Sequence, residues 1–488
     1  MDRDEKNDLN AKTDDNKENT LPNNRPEFLD SESLTSGIMT SLAEAARSGD
    51  VDALSLLLEK AAGGIRILDF VTIAAVGNEK SGKEITKLLF DRRGDQITIT
   101  EEVVIAAAKN QRNGKGVMTL LLDHRGGEIP ITEGVVITAA KNERNGKEVM
   151  ALLLDRRSDE IPITEKMVIA AAGNYWNGEE VMALLLDRRG DEIPITEKVV
   201  ISAAENYWNG KEVMALLLDR RGVKIPITEG VAMAVAGNGQ NGKEVMALLL
   251  DRRGDDIPIT EKVVMTAAGN EANGKEVMAV LLDCQGDEIP ITEKVVIAAA
   301  GNNGWSGKEV MALLLDRRSD DIPITKEVVI AAAGNGANGK DVMALLLDRR
   351  GDKIPITENV VIAAAGNNGW SGKEVMTLLL DRQGDDIPIT EKVAIAAAGN
   401  NGWSGKEIMA SLLDRRGDEV PITEEVVIAA AGNEWNGKEV MVSLLDRRGD
   451  GIPITEKVIT AAAKNSRTGK AIMALLPGRR GNQKFPQM

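Results

Sequence analysis

Residues 290–321 read PITEKVVIAAAGNNGWSGKEVMALLLDRRSDD, and the fold follows from this stretch. Thr292 stands where a helix N-cap belongs, with Glu293 in the first turn against the positive helix end. Val295, Val296, Ile297 and Ala298 to Ala300 supply a first helix, and Gly301 with Asn302 supplies its stop, because both tolerate the left-handed conformation. A second helix is predicted from Ser306, where Ser306-x-x-Glu309 has the spacing of a capping box. The same spacing recurs at Ser81/Glu84, Asn145/Glu148, Ser371/Glu374 and Ser404/Glu407. Val310, Met311 and Leu313 to Leu315 form a wide apolar arc at helical spacing, which predicts burial between neighbours. Arg317, Arg318 and Ser319 close that helix, and Pro323 sends the chain through an extended link to the next Thr cap.

Two helices of this length cannot enclose a core alone, so the unit must be stacked on others like it. The glycine of the recurring GKEVM segment stands at Gly82, Gly114, Gly146, Gly178, Gly210, Gly242, Gly274, Gly307, Gly339, Gly372, Gly405, Gly437 and Gly469, in steps of 32 or 33. Each step of 33 ends at a GNNGWSG loop (Gly307, Gly372, Gly405), which places the extra residue in the turn. The period predicts an all-α solenoid of about fourteen helix-turn-helix units. Its expected organisation is a disordered polar tail over 1–33, an N-terminal capping unit over 34–66, tandem repeats over 67–482 and a tail over 483–488. The Ala triplet of the first helix is smaller than the Leu triplet of the second, so the first helices should pack more closely and line the concave side. The last unit ends in Ala471 to Pro477 without a polar outer helix, which makes that end a candidate for truncation or end-to-end self-association.

Composition agrees. Of 488 residues 43% are hydrophobic, yet only six Trp, four Phe and two Tyr are present, as thin Ala- and Leu-rich helices require. With 60 basic against 76 acidic residues the net charge of -16 opposes broad attraction to polyanions, so direct contact with nucleic acid is not expected. One Cys (Cys284) and one His (His124) exclude a disulfide framework and a Cys/His metal cluster, and neither metal nor cofactor is expected. Without a secretory signal or a long uncharged apolar run, the reading is an intracellular protein, cytoplasmic or nuclear, with no membrane partner.

Residues 45–60, AARSGDVDALSLLLEK, resemble the second half of an ankyrin repeat: the end of an inner helix, a Gly turn and an outer helix closing in Leu-Leu-Leu-Glu. The later units look like divergent ankyrin-type repeats over roughly 38–482, similar to tandem arrays of fungal ankyrin and NLR-like proteins. The ankyrin Thr-Pro-Leu-His signature is replaced by Thr292-Glu-Lys-Val295, and only ten steps separate Leu315 from Thr325, so the β-hairpin finger should be shortened or absent. The resemblance implies a protein-binding scaffold, in the setting of a transcriptional co-regulator or the sensing module of an NLR-like system.

Three patterns invite other readings. The Gly-x-x-x-x-Gly-Lys spacing at Gly237 to Lys243, Gly269 to Lys275, Gly334 to Lys340 and Gly432 to Lys438 matches a phosphate loop, the basis of a nucleotide-binding alternative. Here, however, a helix precedes the loop, and Glu244, Glu276, Asp341 or Glu439 stands where Ser or Thr would hold Mg²⁺. The Asp-Arg-Arg segments at Asp155, Asp187, Asp219 and Asp251 could grip phosphates, but the acidic residues after them favour ion pairing between units. Met150, Met182, Met214, Met246 and Met311 fall at one helical position and read as core.

The doublet between the two helices is where the units differ in kind. All six Trp and both Tyr fall there: Tyr175, Trp176, Tyr207, Trp208, Trp305, Trp370, Trp403 and Trp435. Stacking should bring Tyr175/Trp176 beside Tyr207/Trp208, and Trp370, Trp403 and Trp435 into a second patch. These eight are the candidate partner-binding residues, since Trp and Tyr are favoured interface anchors; the alternative is that each forms a lid over helix ends. The expected function is a non-enzymatic scaffold that binds an unidentified protein through these turns.

Overall fold

The structure, a computed structural model, describes residues 31–61, 66–318 and 321–476. Residues 1–30 of the expected disordered tail 1–33, and the tail expected over 483–488, lie outside these residues, while 31–33 open the helix Ser31–Ser48. Among the described residues twenty-eight α-helices follow one another in fourteen pairs. A typical unit runs through a first helix Glu261–Gly269, a turn, a second helix Gly274–Gln285, a short 3-10 turn Gly286–Glu288 and an extended link led by Ile289. No β-hairpin interrupts that link among the described residues; one isolated bridge pairs Ile67 with Ile97.

Contacts divide the chain into a compact body ending at Thr98 and a second that begins at Ile99. The first holds two helix pairs, Ser31–Ser48 with Val51–Lys60 and Asp69–Val76 with Gly82–Arg93. The second holds the remaining twelve pairs.

Within the second body, Val295, Val296, Ala299 and Ala300 of one first helix and Val310, Met311, Leu314 and Leu315 of the following second helix are buried to 1% exposure or less. Each large aliphatic side chain buried this way contributes about 1.5–3 kcal/mol. The first helices pack on one another more closely than the second helices do, as Ala against Leu dictates. Ile297 and Ala298 stay half-buried, and equivalent residues give the first-helix layer an apolar outer stripe.

Three local readings change in detail, because the side chains of Asn302, Ser306 and Thr292 each bond the preceding unit. Gly301 is not left-handed (φ -86), and Asn302 is buried rather than exposed in a turn. Asn302 Nδ2 donates to the carbonyls of Ala268 (2.9 Å) and Asn270 (3.1 Å), and its Oδ1 accepts from Gly304 N (2.9 Å). The left-handed turn comes later, after the second helix, at glycines such as Gly286 (φ 52) and Gly254 (φ 52). The capping boxes do not form. Asn145 (φ -119, ψ 9) and Ser404 (φ -92, ψ -4) lack the extended backbone an N-cap needs, and neither side chain bonds its own helix. Ser306 Oγ instead donates to Asn270 O (2.5 Å) and Ser404 Oγ to Gly369 O (3.1 Å), while Oε2 of Glu148, Glu309 and Glu407 has no partner. Thr292 has cap geometry (φ -84, ψ 168), but its hydroxyl donates to Glu261 of the preceding unit (2.6 Å).

The Asp-Arg-Arg segments act as expected, between units. The first Arg pairs with the Asp one unit back, as in Arg220–Asp187 (2.7 Å) and Arg317–Asp283 (2.8 Å), in half-exposed bridges of modest strength. The second Arg turns inward onto preceding carbonyls, as Arg189 to Ser158 O (2.6 Å) and Arg448 to Gly417 O (3.1 Å) and Val420 O (3.0 Å).

The Thr–Glu contacts carry a pH dependence. Glu229, Glu261, Glu358 and Glu424 are held below the ordinary glutamate value, first by the hydroxyl of the next unit's Thr260, Thr292, Thr390 or Thr455, and further by Lys262, Lys294, Lys392 or Lys457. A carboxyl depressed in the folded state stabilises it above the unfolded-state value, and that contribution is lost as pH falls through the folded-state value. Urea midpoints should therefore be level near neutral pH and fall once pH drops below the ordinary glutamate range. Replacing Thr260, Thr292, Thr390 and Thr455 together by Val should flatten that fall; an equally steep fall in this variant would refute the assignment.

Candidate functional site: the aromatic turns

The turn between the helices is held from inside. Asn174, 3% exposed, donates from Nδ2 to Ala140 O (2.8 Å) and Asn142 O (3.1 Å), and its Oδ1 accepts from Trp176 N (3.1 Å) and Asn177 N (3.0 Å). Asn142, Asn206, Asn238, Asn270, Asn335, Asn367, Asn400, Asn433 and Asn465 donate backward in the same way. With Asn174 and Gly178 buried, the two residues after Asn174 can only point outward. A second Asn ties turn to turn: Asn209 Nδ2 donates to Tyr175 O (2.8 Å), and Asn241 Nδ2 donates to Tyr207 O. Variable side chains thus stand in register along one edge.

All eight candidate residues are exposed, from 41% for Tyr207 to 94% for Trp305. Trp176 and Trp208 stack with ring centres 5.7 Å apart and planes 14° apart, and Tyr207 meets Trp208 edge-on at 5.2 Å. Trp370 and Trp403 stack at 5.0 Å and 15°. Trp435, in the next turn, carries the guanidinium of Arg467 over its ring at 3.4 Å. Trp305 lies between units whose turns hold Glu271-Ala272 and Gly336-Ala337.

Two grooves open beside the first aromatic pair, on the outer stripe of the first helices. One, of about 550 Å³, is lined by Ile201, Glu205, Tyr207, Met233 and Thr266, and is wide because Gly230, Gly237 and Gly239 add no side chain. The other, of about 340 Å³, is lined by Lys141, Glu143, Ile169, Tyr175 and Ser202. Sequence reasoning missed these grooves and Arg467. A signal for the larger groove was present in one departure from the unit pattern, Glu205 where other units have Gly or Lys.

The phosphate-loop spacing has another use. Asn238 Oδ1 accepts from Gln240 N and Asn241 N (2.9 Å each), so backbone N–H groups that a phosphate would need already serve the turn. Among the described residues no cluster of His, Cys, Asp or Glu has metal-site geometry, and no helix is long and apolar enough to cross a membrane.

Thirteen consecutive segments, from 56–85 through 444–473, match the family described as "Domain of unknown function (DUF7104)". No curated protein matches the chain. Among solved structures it is similar to the pentatricopeptide repeat protein PPR10 in complex with an 18-nucleotide psaJ RNA element, at 15% identity and TM-score 0.39 over 94% of this chain and 72% of that one. It is also similar to PPR10 from maize, at 13% identity and TM-score 0.32 over 92% and 69%. Fold and family thus support a tandem helical-repeat array of about 32-residue units, and the ankyrin resemblance of residues 45–60 extends no further than that. The expectation against direct nucleic-acid contact is corrected on its own ground, the charge. The charge of -16 is a sum over the whole chain and does not fix the potential along one edge.

Proposed function

This chain belongs to the family of the domain of unknown function DUF7104, thirteen copies in series, and from that footing we propose that it is a non-enzymatic scaffold binding a protein through its inter-helix turns. The observation that carries this reading is the exposure of all eight aromatic side chains on turns whose backbone is fixed from beneath. Large, rigid aromatic groups standing in water on a preorganised support are the anchors protein interfaces favour. Several similar sites along one edge add their binding by avidity, so each can be weak.

The test is capture of partners by the intact chain and by a Trp370→Ala/Trp403→Ala/Trp435→Ala variant, with circular dichroism on both. Loss of capture with helicity unchanged is expected. Loss of helicity would assign the rings to folding, and capture that vanishes on ribonuclease treatment would overturn a protein partner.

A further inference from the structure

We propose that the larger groove takes a lysine side chain of the protein partner, with its ammonium on Glu197. This deepens the preceding reading and rests on it, because it names one chemical group that the partner brings to the first helices beside the aromatic turns.

A ladder of ion pairs runs along the N-terminal ends of the first helices. In several units the opening glutamate is held in one way: Oε1 accepts from the threonine hydroxyl of the next unit, and Oε2 meets the ammonium of the lysine two residues after that threonine. Glu229 is held so by Thr260 (2.6 Å) and Lys262 (3.0 Å), and Glu261 by Thr292 (2.6 Å) and Lys294 (3.1 Å). Glu358 and Glu424 follow with Thr390 and Lys392, and with Thr455 and Lys457.

Glu197 has the threonine and lacks the lysine. Thr228 donates to its Oε1, but the residue two places after Thr228 is Gly230. The lysines on either side are engaged elsewhere: Lys198 faces Glu165 (3.7 Å), and Lys262 faces Glu229. Among the described residues no basic side chain forms an ion pair with Glu197. Its Oε2 is therefore a rung of the ladder left open.

The groove has the form of the missing side chain. A Cβ on Gly230 would lie 3.0 Å from Glu197 Oε1 and 3.5 Å from Cδ1 of Ile201, so an alkyl chain entering there runs over an apolar floor toward the carboxylate. Met233 extends that floor, and Gly237 and Gly239 keep the space open, to about 550 Å³. Glu101 and Gly134 repeat the carboxylate and its gap, but Lys141 and Glu143 stand where the other two glycines stand here. An apolar floor that ends at one spare carboxylate oxygen fits a methylene stem tipped by an ammonium. A guanidinium fork would need both oxygens, and Thr228 already holds one.

The test follows the methyl signal of Met233 in the full chain labelled with carbon-13 methyl methionine, identified by its loss in Met233→Ile, while Nα-acetyl-lysine methylamide is titrated. A saturable shift is expected, weakened by salt. The norleucine analogue, which lacks the ammonium, and the arginine analogue should each bind about fivefold more weakly. Glu197→Gln, which keeps an acceptor for Thr228, should weaken the lysine derivative about fivefold with helicity unchanged. Gly230→Lys, the residue of the sibling units, should abolish the shift. No saturable shift, equal binding of the norleucine analogue, or a shift that survives both substitutions overturns the proposal. Spermidine that binds about a hundredfold tighter than the lysine derivative overturns it as well, and gives the groove to a free polyamine. If the lysine derivative fails while capture through Trp370, Trp403 and Trp435 holds, only this inference falls; if both fail, the reading of the edge falls with it.

Discussion

Asn174→Ala is expected to lower stability by about 3–4 kcal/mol, since it removes four hydrogen bonds from a position 3% exposed to solvent. Two carbonyls of the preceding unit, Ala140 and Asn142, lose their donor, and the N–H groups of Trp176 and Asn177 lose their acceptor. The cost follows from buried polar groups left unmatched rather than from lost apolar area. In a repeat array each unit is held by its neighbours, so the damage should weaken one interface and can split a single unfolding transition into two. Asn174→Asp is expected to be no better than Ala: it keeps both acceptor bonds but aims a carboxylate at two carbonyls. Urea unfolding followed by circular dichroism reads the loss, and hydrogen exchange should place the opened interface at Ala140–Asn142. The Trp176–Trp208 stack should loosen as well, with loss of near-ultraviolet dichroism. A variant with the parent midpoint would mean that the asparagine row contributes nothing to cohesion.

Gly242→Ala is the second large effect, about 2–3 kcal/mol of destabilisation. A Cβ on Gly242 would lie 2.8 Å from the carbonyl oxygen of Val235 and 3.2 Å from Cγ2 of Val277 in the next unit. Neither can retreat, because one is helix backbone and the other belongs to a fully buried side chain. Gly269→Ala serves as the contrast. Nothing lies within 4 Å of its would-be Cβ, and Lys109 and Lys141 occupy the equivalent place in other units. That change should be neutral or raise stability by about 0.5–1 kcal/mol through helix propensity. Equal effects for the two substitutions would show that close approach between units is not what keeps Gly242 a glycine.

These expectations mark where the sequence could be read and where it could not. The 32–33 residue period, the helix pair and the placement of all Trp and Tyr in one turn are legible because each depends on spacing within a unit. The roles of Ser306, Thr292 and Asn302 are not, because their partners Asn270, Glu261 and Ala268 lie about one period away. A residue type that favours a helix cap is the same type that can donate to a neighbour's carbonyl, and only the backbone dihedrals decide between them. The contact of Trp435 with Arg467 is not legible for the same reason: Arg467 comes from the next turn, and the variable doublet gives no hint of which side chains meet.

The backward-reaching asparagines have a mechanical consequence. Within the second body the interfaces closed by Asn142 through Asn465 share the same few bonds, so under tension along the chain none of these seams is much stronger than the rest. Units would peel away in turn, each releasing about 32 residues at roughly 3.5 Å apiece, or about 110 Å of slack per event. The protein is in this respect a strap with evenly spaced stitches, able to lengthen in fixed increments and to restitch one unit at a time when the load is removed.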